Sequence, residues 1–263
     1  MKIREITECI EAFAPLALQE SYDNAGLIVG RADDELKGGV LLAVDVTEEI
    51  IQEAIDTGCG MIITHHPIIF HPLKRLNSAS VVERCVESAI KRDIALYACH
   101  TNLDSVKNGM SWRLGAMLGL ENMQILEQIS ENSGFGVVGN LASPMDTADF
   151  FALLKDRLSC SVIRHSQVVK SKIERVALCT GAGASLIGAA ADAACDAYVT
   201  ADLKYNDFYL PDGEFVICDV GHFESEFCAV DILFEILANL SKKISNFALH
   251  KSACLKNPVH YYL

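Results

Sequence analysis

The sequence predicts an α/β protein made of two duplicated, intertwined α/β repeats, with mixed sheets flanked by helices. Apolar segments of strand length alternate with amphipathic segments of helix length along the 263 residues. Residues 41–66 also match residues 177–202 at a fixed offset. Two related halves are the usual mark of duplication. We expect the first repeat to span residues 1–125 and the second to span residues 126–263.

The chain begins with a predicted amphipathic helix. Its apolar positions Ile3, Ile6, Ile10 and Phe13 fall on one helical stripe, with charged residues between them. A secretory signal has an uninterrupted apolar centre, and no stretch approaches the roughly 20 apolar residues of a membrane span. The ten cysteines include no CxxC pair and lie mostly in apolar segments, as in a reducing compartment. We therefore expect a cytoplasmic protein without membrane contact.

Each matching segment is predicted to form a strand, a helix and a second strand. The strand LLAV recurs as ALCT, and the closing CGMIITHH recurs as CDAYVTAD. A further strand follows each copy, within LYACHTNLD and FVICDVGHF. The alanine-rich residues 184–194 predict the helix of the second copy, and residues 224–243 predict a single long helix.

A histidine pair stands where one buried strand ends. His65 and His66 close the apolar run GMIIT, and Pro67 stops the strand because it has no N–H to donate. In open α/β sheets this carboxyl edge is where ligands bind. Neighbouring strand residues point to opposite faces, so both imidazoles can serve one site only if the chain bends there, or if each binds a different ion. Metal ligation is favoured over two ordinary loop histidines, since neutral imidazole is the commonest metal ligand.

Further imidazoles and carboxylates follow the other strands, which is the composition of a metal site. They are His100, Asp104, Asp202, His222 and Glu226. His222 and Glu226 are four positions apart on a predicted helix, so they can point at one locus. Asp104 has an alternative role as a helix cap, and Glu226 as a solvated acid in a first turn. His100 is better placed to orient a ligand than to bind the metal itself.

The sequence signals for phosphate contacts are weaker than those for the metal site. The stretch CTGAGASLIG lacks the third glycine of a dinucleotide fingerprint and the Lys-Ser/Thr of a P-loop, so tight strand-to-helix packing is the simpler reason for Gly181 and Gly183. Lys74, Arg75 and Lys107 could reach a phosphate, but solvated surface charge is the simpler interpretation. The net charge of −13 argues against general nucleic-acid binding.

Four motifs, in the order SYDNAGLIVG, THHPIIF, HTNLD and GHFESE, closely resemble the NGG-one-interacting-factor-three-like family. Members of this family are often named GTP cyclohydrolase 1 type 2 homologues, and the resemblance covers essentially the whole chain. It implies two divalent ions per chain and a ring-shaped homo-oligomer, usually a hexamer. The metal ligands that it implies are His65, His66, Asp104, His222 and Glu226.

The chain departs from the family pattern at three places. Tyr22 stands where Trp is more usual, residues 200–202 read Thr-Ala-Asp in place of Thr-Gly-acid, and Asn206 stands where many relatives have His. A substrate role for Tyr22, Asp202 or Asn206 is therefore in doubt. The five implied metal ligands are unaffected.

The predicted function is metal-assisted hydrolysis, with Glu226, Asp104 and His100 as candidate proton carriers. Mixed nitrogen and oxygen ligands without sulfur suit Zn, Fe, Mn or Co. We expect a small anionic substrate such as a nucleotide. Opening of a purine ring rests on the resemblance alone, and the residues equally permit phosphoester hydrolysis. The alternative is a non-catalytic metal-holding ring that binds or chaperones a protein partner.

Overall fold

The computed structural model describes residues 1–243 and 247–262. The helices are α1 (Ile3–Phe13), α2 (Glu48–Asp56), α3 (Val81–Lys91), α4 (Thr101–Ser105), α5 (Met110–Met117), α6 (Thr147–Leu158), α7 (Ile187–Asp192), α8 (His222–Glu226) and α9 (Ala229–Lys243). The strands are β1 (Gly26–Val29), β2 (Gly39–Ala43), β3 (Cys59–Thr64), β4 (Ala95–Ala98), β5 (Glu121–Ser130), β6 (Ser133–Asp146), β7 (Arg164–His165), β8 (Lys172–Ala182), β9 (Ala197–Ala201), β10 (Val216–Asp219) and β11 (Leu249–Lys251).

Packing divides the chain into two compact units. Unit 1 comprises Met1–Leu103 and Ala229–Lys256, and unit 2 comprises Asp104–Cys228 and Asn257–Leu263. The chain passes from unit 1 to unit 2 inside α4, so Asp104 belongs to unit 2. These units follow packing and not sequence similarity, so the repeat boundary at residues 125/126 stays a prediction.

Unit 1 is built on a five-stranded sheet in the order β1-β4-β3-β2-β11. Strands β11, β2, β3 and β4 run parallel, and β1 joins β4 antiparallel at one edge. Every residue of β2, β3 and β4 is buried, as expected for parallel strands covered on both faces. These strands therefore end inside the protein, where polar side chains need partners.

The helices of unit 1 follow from their sequence patterns. The predicted first helix is confirmed as α1, which buries Ile3, Ile6 and Ile10 and packs against α9. Helix α2 begins at the side chain of Thr47, which accepts a hydrogen bond of 3.2 Å from the backbone N–H of Ile50. This bond satisfies one of the donors that a helix start leaves open.

Unit 2 is built on a six-stranded sheet in the order β5-β6-β8-β9-β10-β7. Strands β8, β9 and β10 are parallel, whereas β5, β6 and β7 pair antiparallel with their neighbours. Both sheets are therefore mixed and flanked by helices, which confirms the predicted α/β class. No helix among the described residues is long and apolar enough to cross a membrane.

Two helix predictions are corrected. The single helix expected over residues 224–243 is two helices, α8 and α9, separated by a turn at Phe227 and Cys228. At the break, Phe227 keeps right-handed helical dihedral angles (φ −57°, ψ −23°). No glycine or proline marks the break in the sequence. The helix expected over residues 184–194 begins as a 3-10 turn at Ala184–Leu186 and is α-helical only in α7.

Candidate metal centre

The chain bends at the histidine pair. The backbone N–H groups of His65 and His66 both donate to the carbonyl of Val44, at 3.1 and 3.0 Å. The hydroxyl of Thr64 donates to the carbonyl of His66 at 2.7 Å. Two successive N–H groups on one acceptor end the alternation of a strand, so the two rings lie with their centroids only 4.9 Å apart. The bend that a shared site requires is therefore present.

His100, which follows β4, completes an imidazole cluster with His65 and His66 in unit 1. The ring centroid of His100 lies 5.3 Å from that of His65 and 5.5 Å from that of His66. One ring nitrogen from each histidine lies within 4.8 Å of the other two. His65 is fully buried. Three imidazole nitrogens this close together could hold a metal ion.

His65 and His66 are each oriented by a hydrogen bond at Nδ1. The Nδ1 of His65 lies 2.8 Å from the carbonyl of Cys99, and the Nδ1 of His66 lies 2.7 Å from Oδ1 of Asp45. A carbonyl can only accept, so Nδ1 of His65 carries a proton, and in the neutral ring Nε2 has the lone pair. An imidazole that donates from one nitrogen to a carbonyl or carboxylate is typical of a metal ligand, because this bond fixes the tautomer and the ring plane.

His100 is oriented in the same way by Asp23. Its Nδ1 lies 2.7 Å from Oδ1 of Asp23, whose other oxygen accepts from the backbone N–H and the hydroxyl of Thr101 at 3.1 and 2.5 Å. Burial raises the pKa of Asp23, but the hydrogen bonds from His100 and Thr101 outweigh it and lower the pKa from 3.8 to about 2. Asp23 is therefore an ionised, fixed acceptor for His100.

Unit 2 brings together a second set of ligand atoms, which we call the carboxylate cluster: Asp104, His222 and Glu226. Within α8, Nε2 of His222 lies 2.8 Å from Oε2 of Glu226, as their spacing of four residues predicted. A carboxylate oxygen of Asp104 lies within 4.8 Å of one of Glu226. Glu226 is only 4% exposed, so it is not the solvated first-turn acid of the alternative interpretation.

His222 is also oriented from its Nδ1 side. Its Nδ1 lies 2.7 Å from Oδ2 of Asp202, the residue that follows β9. Burial lowers the pKa of His222, but hydrogen bonds and charge from Glu226 and Asp202 outweigh it and raise the pKa to about 9. Two carboxylates around one imidazole form an environment that attracts a cation, either a proton or a metal.

Gly181 makes room for Glu226. Its φ is +61°, and a Cβ atom placed on it would lie 2.2 Å from Oε1 of Glu226 and 3.4 Å from Cε1 of His222. The N–H of Gly181 donates to the hydroxyl of Ser225 at 2.9 Å, which links the end of β8 to α8. The glycine that the sequence assigned to strand-to-helix packing therefore lines the carboxylate cluster.

All six candidate ligands and proton carriers thus lie in clusters. His65, His66 and His100 form the imidazole cluster of unit 1, and Asp104, His222 and Glu226 form the carboxylate cluster of unit 2. The division of roles among them stays a prediction.

Sequence reasoning missed the orienting carboxylates Asp23 and Asp45. Asp45 lies two residues after the end of β2, much as His65 follows β3, so its strand-end position was the available signal. Asp23 lies in the SYDNAG motif, well before β4, and no local pattern connects it to His100, which is 77 residues away. Lys74, Arg75 and Lys107 are exposed, and Lys107 lies 5.8 Å above the ring of Trp112.

The fold and these clusters define a class: a duplicated α/β protein whose strand ends carry histidines and carboxylates that could hold metal ions. Comparison with known proteins gives the family. Residues 1–258 match Duf34/NIF3 (NGG1p interacting factor 3), and the chain belongs to this family.

Named relatives and a solved structure agree with this assignment. A protein of Clostridium perfringens named GTP cyclohydrolase 1 type 2 homolog is 33% identical over 93% of this chain and 91% of its own length. One of Campylobacter jejuni with the same name is 32% identical over all of both chains. A Bacillus cereus protein described as related to NIF3 matches in structure with a TM-score of 0.90 at 23% identity, covering 100% of this chain and 99% of its own. That last likeness supports the fold.

Proposed function

We propose that the protein is a dinuclear, divalent-metal-dependent hydrolase that acts on a nucleotide or a related phosphate compound. The observation that carries this proposal is the shared orientation of four histidines. Each places Nδ1 within 2.8 Å of a backbone carbonyl or a carboxylate, which leaves Nε2 to bind a metal in His65, His66 and His222 and to carry a proton in His100. The proposed metal ligands are His65, His66, Asp104, His222 and Glu226.

The donor chemistry fits two divalent ions. The clusters combine imidazole nitrogens and carboxylate oxygens, a mixture that suits Zn, Fe, Mn or Co and leaves availability to decide which metal is bound. When bound, a pair of such ions supplies an activated water and polarises the bond that the water attacks.

The residues around the ligands keep them in position. Asp45 and Asp202 accept from Nδ1 of His66 and His222, and this makes the opposite nitrogen of each ring more basic. Gly181 leaves the space in which Glu226 lies. We infer that these positions are fixed before any ion arrives, which lowers the cost of assembling the site.

Proton transfer is assigned to His100, beside the metal ligands, and to two of the ligands themselves. His100 is placed to carry a proton on Nε2, because its Nδ1 is occupied by the hydrogen bond to Asp23. Asp104 and Glu226 are the other candidate carriers, each with a carboxylate oxygen in the carboxylate cluster.

The substrate class comes from the relatives. Proteins named GTP cyclohydrolase 1 type 2 homolog match nearly the whole chain, which supports a nucleotide as substrate. We further propose a ring-shaped homo-oligomer, a hexamer by family resemblance. The net charge of −13 does not oppose an anionic substrate, since two divalent ions would reverse the sign of the local field.

The proposal is tested by assaying metal-reconstituted protein against nucleotides and phosphoesters. We expect turnover that falls by at least 100-fold in His66→Ala. The control is His260→Ala, which removes an exposed imidazole outside both clusters and should keep full activity. Circular dichroism melting of both variants shows whether the fold survives.

The same assay separates catalysis from the alternative of a non-catalytic ring. No turnover on the whole panel, by protein shown to contain two ions per chain, would reject the hydrolase and favour a metal-holding ring that binds or chaperones a protein partner. Equal activity loss in His66→Ala and His260→Ala would show that the clusters are not the reacting site.

A further inference from the structure

Two exposed aromatic rings stand beside the imidazole cluster in unit 1. The ring centroid of Phe70 lies 6.1 Å from that of His100, and Tyr22 lies 6.4 Å from Phe70 with the ring planes inclined by 60°. The two side chains are 64% (Tyr22) and 40% (Phe70) exposed. Large aromatic side chains usually bury their surface, so this pair is not explained by packing within the unit.

Polar contacts hold the segments that carry both rings. The amide of Asn24 donates to the carbonyl of Ile69 at 2.6 Å, and the N–H of Asn24 donates to Oδ1 of Asp23 at 2.7 Å. The same oxygen of Asp23 accepts from His100. The rings are therefore tied to the residue that orients His100, even though they are not buried.

We propose that Tyr22 and Phe70 form a stacking surface that selects substrates with a planar heteroaromatic ring. This inference rests on the proposed function, because it assigns a specificity role next to the same cluster. An aromatic face attracts any nucleobase-like ring, whereas a chain of phosphates or an aliphatic ester gains nothing from it. The surface continues directly into the imidazole cluster through the contact between Phe70 and His100.

The geometry also indicates which part of the substrate lies near the imidazole cluster. A ring stacked on an aromatic side chain lies about 3.5 Å from it, a normal van der Waals separation. A ring stacked on Phe70 is then within reach of groups next to His100. The ring system of the substrate therefore lies beside the proposed reacting groups, and the protein distinguishes substrates by this ring.

The first experiment uses the full chain treated with chelator, so that it does not depend on metal binding. Tyr22→Trp places a fluorescent reporter at the surface, with Trp112 as the only other tryptophan. We expect millimolar adenosine to quench this reporter and ribose 5-phosphate, which has no aromatic ring, to leave it unchanged. Tyr262→Trp puts a reporter at a fully exposed position and controls for collisional quenching.

The second experiment measures GTP affinity of metal-reconstituted protein. Phe70→Leu and Tyr22→Leu keep apolar bulk but remove the π face, and each should weaken GTP binding about tenfold, within the range measured for base stacking. Tyr22→Phe keeps the ring and should bind like the unaltered protein. Inorganic tripolyphosphate should bind equally to all four proteins.

The outcomes separate this inference from the proposed function. Equal quenching of the Tyr22→Trp and Tyr262→Trp reporters by adenosine would overturn the stacking surface. GTP affinity unchanged within twofold in Phe70→Leu would do the same. In either case, two bound ions per chain would still support the metal site. Adenosine quenching in protein that takes up no metal on reconstitution supports the surface and rejects the metal site. A change of sedimentation in Tyr22→Leu with unaltered GTP affinity assigns the rings to a subunit contact and overturns the inference.

Discussion

The two β-α-β segments of the protein have the same backbone pairing but different residues at their strand ends. In unit 1 Leu41 of β2 pairs with Ile62 of β3, and in unit 2 Ala177 of β8 pairs with Tyr198 of β9. Both pairs are 21 positions apart, so the register agrees with the repeat found in the sequence. The duplicated part of the molecule is its scaffold.

The third parallel strand extends this equivalence. Thr64 pairs with Ala98 of β4, and Thr200 pairs with Asp219 of β10. In both units a helix of five residues begins three positions later, α4 in one and α8 in the other. Helix α4, which carries Asp104, and helix α8, which carries His222 and Glu226, are therefore equivalent elements.

The ligands themselves are not equivalent. At the fixed offset, Asp45 corresponds to Gly181 and His66 corresponds to Asp202. In unit 1, Asp45, which follows β2, orients His66, which follows β3. In unit 2, Asp202, which follows β9, orients His222, which follows β10. The comparison teaches that duplication preserved the positions of the strand ends, while the roles of the side chains there were reassigned.

The largest expected effect concerns Gly181, the equivalent of Asp45. Gly181→Ala adds a Cβ atom 2.2 Å from Oε1 of Glu226, so Glu226 must move and the carboxylate cluster opens. We expect the metal content to fall from two ions per chain to one or none, with at least a 100-fold loss of activity. Elemental analysis after gel filtration measures the content.

A matched control separates this contact from backbone strain. Gly213 also has a positive φ, +81°, but nothing lies within 4 Å of a Cβ placed on it. Gly213→Ala should lose stability through the same left-handed conformation, about 1 kcal/mol, and still bind two ions. Equal metal loss in both variants would contradict the role given to Gly181.

The two orienting carboxylates provide the next test. Asp45→Asn and Asp202→Asn each replace a charged acceptor of a histidine Nδ1, and each should weaken metal binding 10–100-fold. Similar losses would support equal roles for the two copies. A loss confined to one variant, measured by competition with a chromogenic chelator, would show that only one copy orients a ligand.

A smaller effect comes from Asp23, whose partner His100 has Gly221 as its equivalent in unit 2. The folded-state pKa of Asp23, about 2, is below its ordinary 3.8, so its contribution to stability is complete above pH 3.8 and is lost as the pH falls towards 2. Asp23→Asn should therefore cost about 2 kcal/mol of unfolding free energy at pH 7. Urea unfolding in chelator should show this cost shrinking below pH 4, and a cost that stays constant from pH 7 to pH 3 would contradict it.

The smallest effect concerns the start of the helix in each copy. Thr47 accepts from the N–H of Ile50, whereas the equivalent Gly183 has no side chain. Thr47→Ala should lower the unfolding free energy by about 1 kcal/mol, without changing metal content. A change in metal content would mean that α2 helps to position Asp45 or His66.

The sequence predicted most of the scaffold and the six clustered side chains because both depend on local patterns. The repeat, the apolar strands and the spacing of four between His222 and Glu226 can all be read along the chain. The partners of Nδ1 could not be predicted in this way. Asp45 and Asp23 lie 21 and 77 residues from the histidines that they orient, and only strand pairing and loop packing bring them together.

The break between α8 and α9 was missed for a related reason. Its turn residues, Phe227 and Cys228, belong to an apolar stretch without glycine or proline, so the pattern of a buried helix continues through the turn. The role of Gly181 was missed because the side chain that it accommodates, Glu226, is 45 positions away. In both cases the deciding contact is tertiary.

The proposed ligands should hold two cations per chain. Anomalous diffraction from crystals of protein purified without chelator, collected at the absorption edge of the metal found by elemental analysis, tests it directly. We predict two peaks per chain, coordinated at about 2.0–2.2 Å by the proposed ligands His65, His66, Asp104, His222 and Glu226. Peaks bound by other residues, or no peak at either cluster in metal-supplemented crystals, would contradict the account.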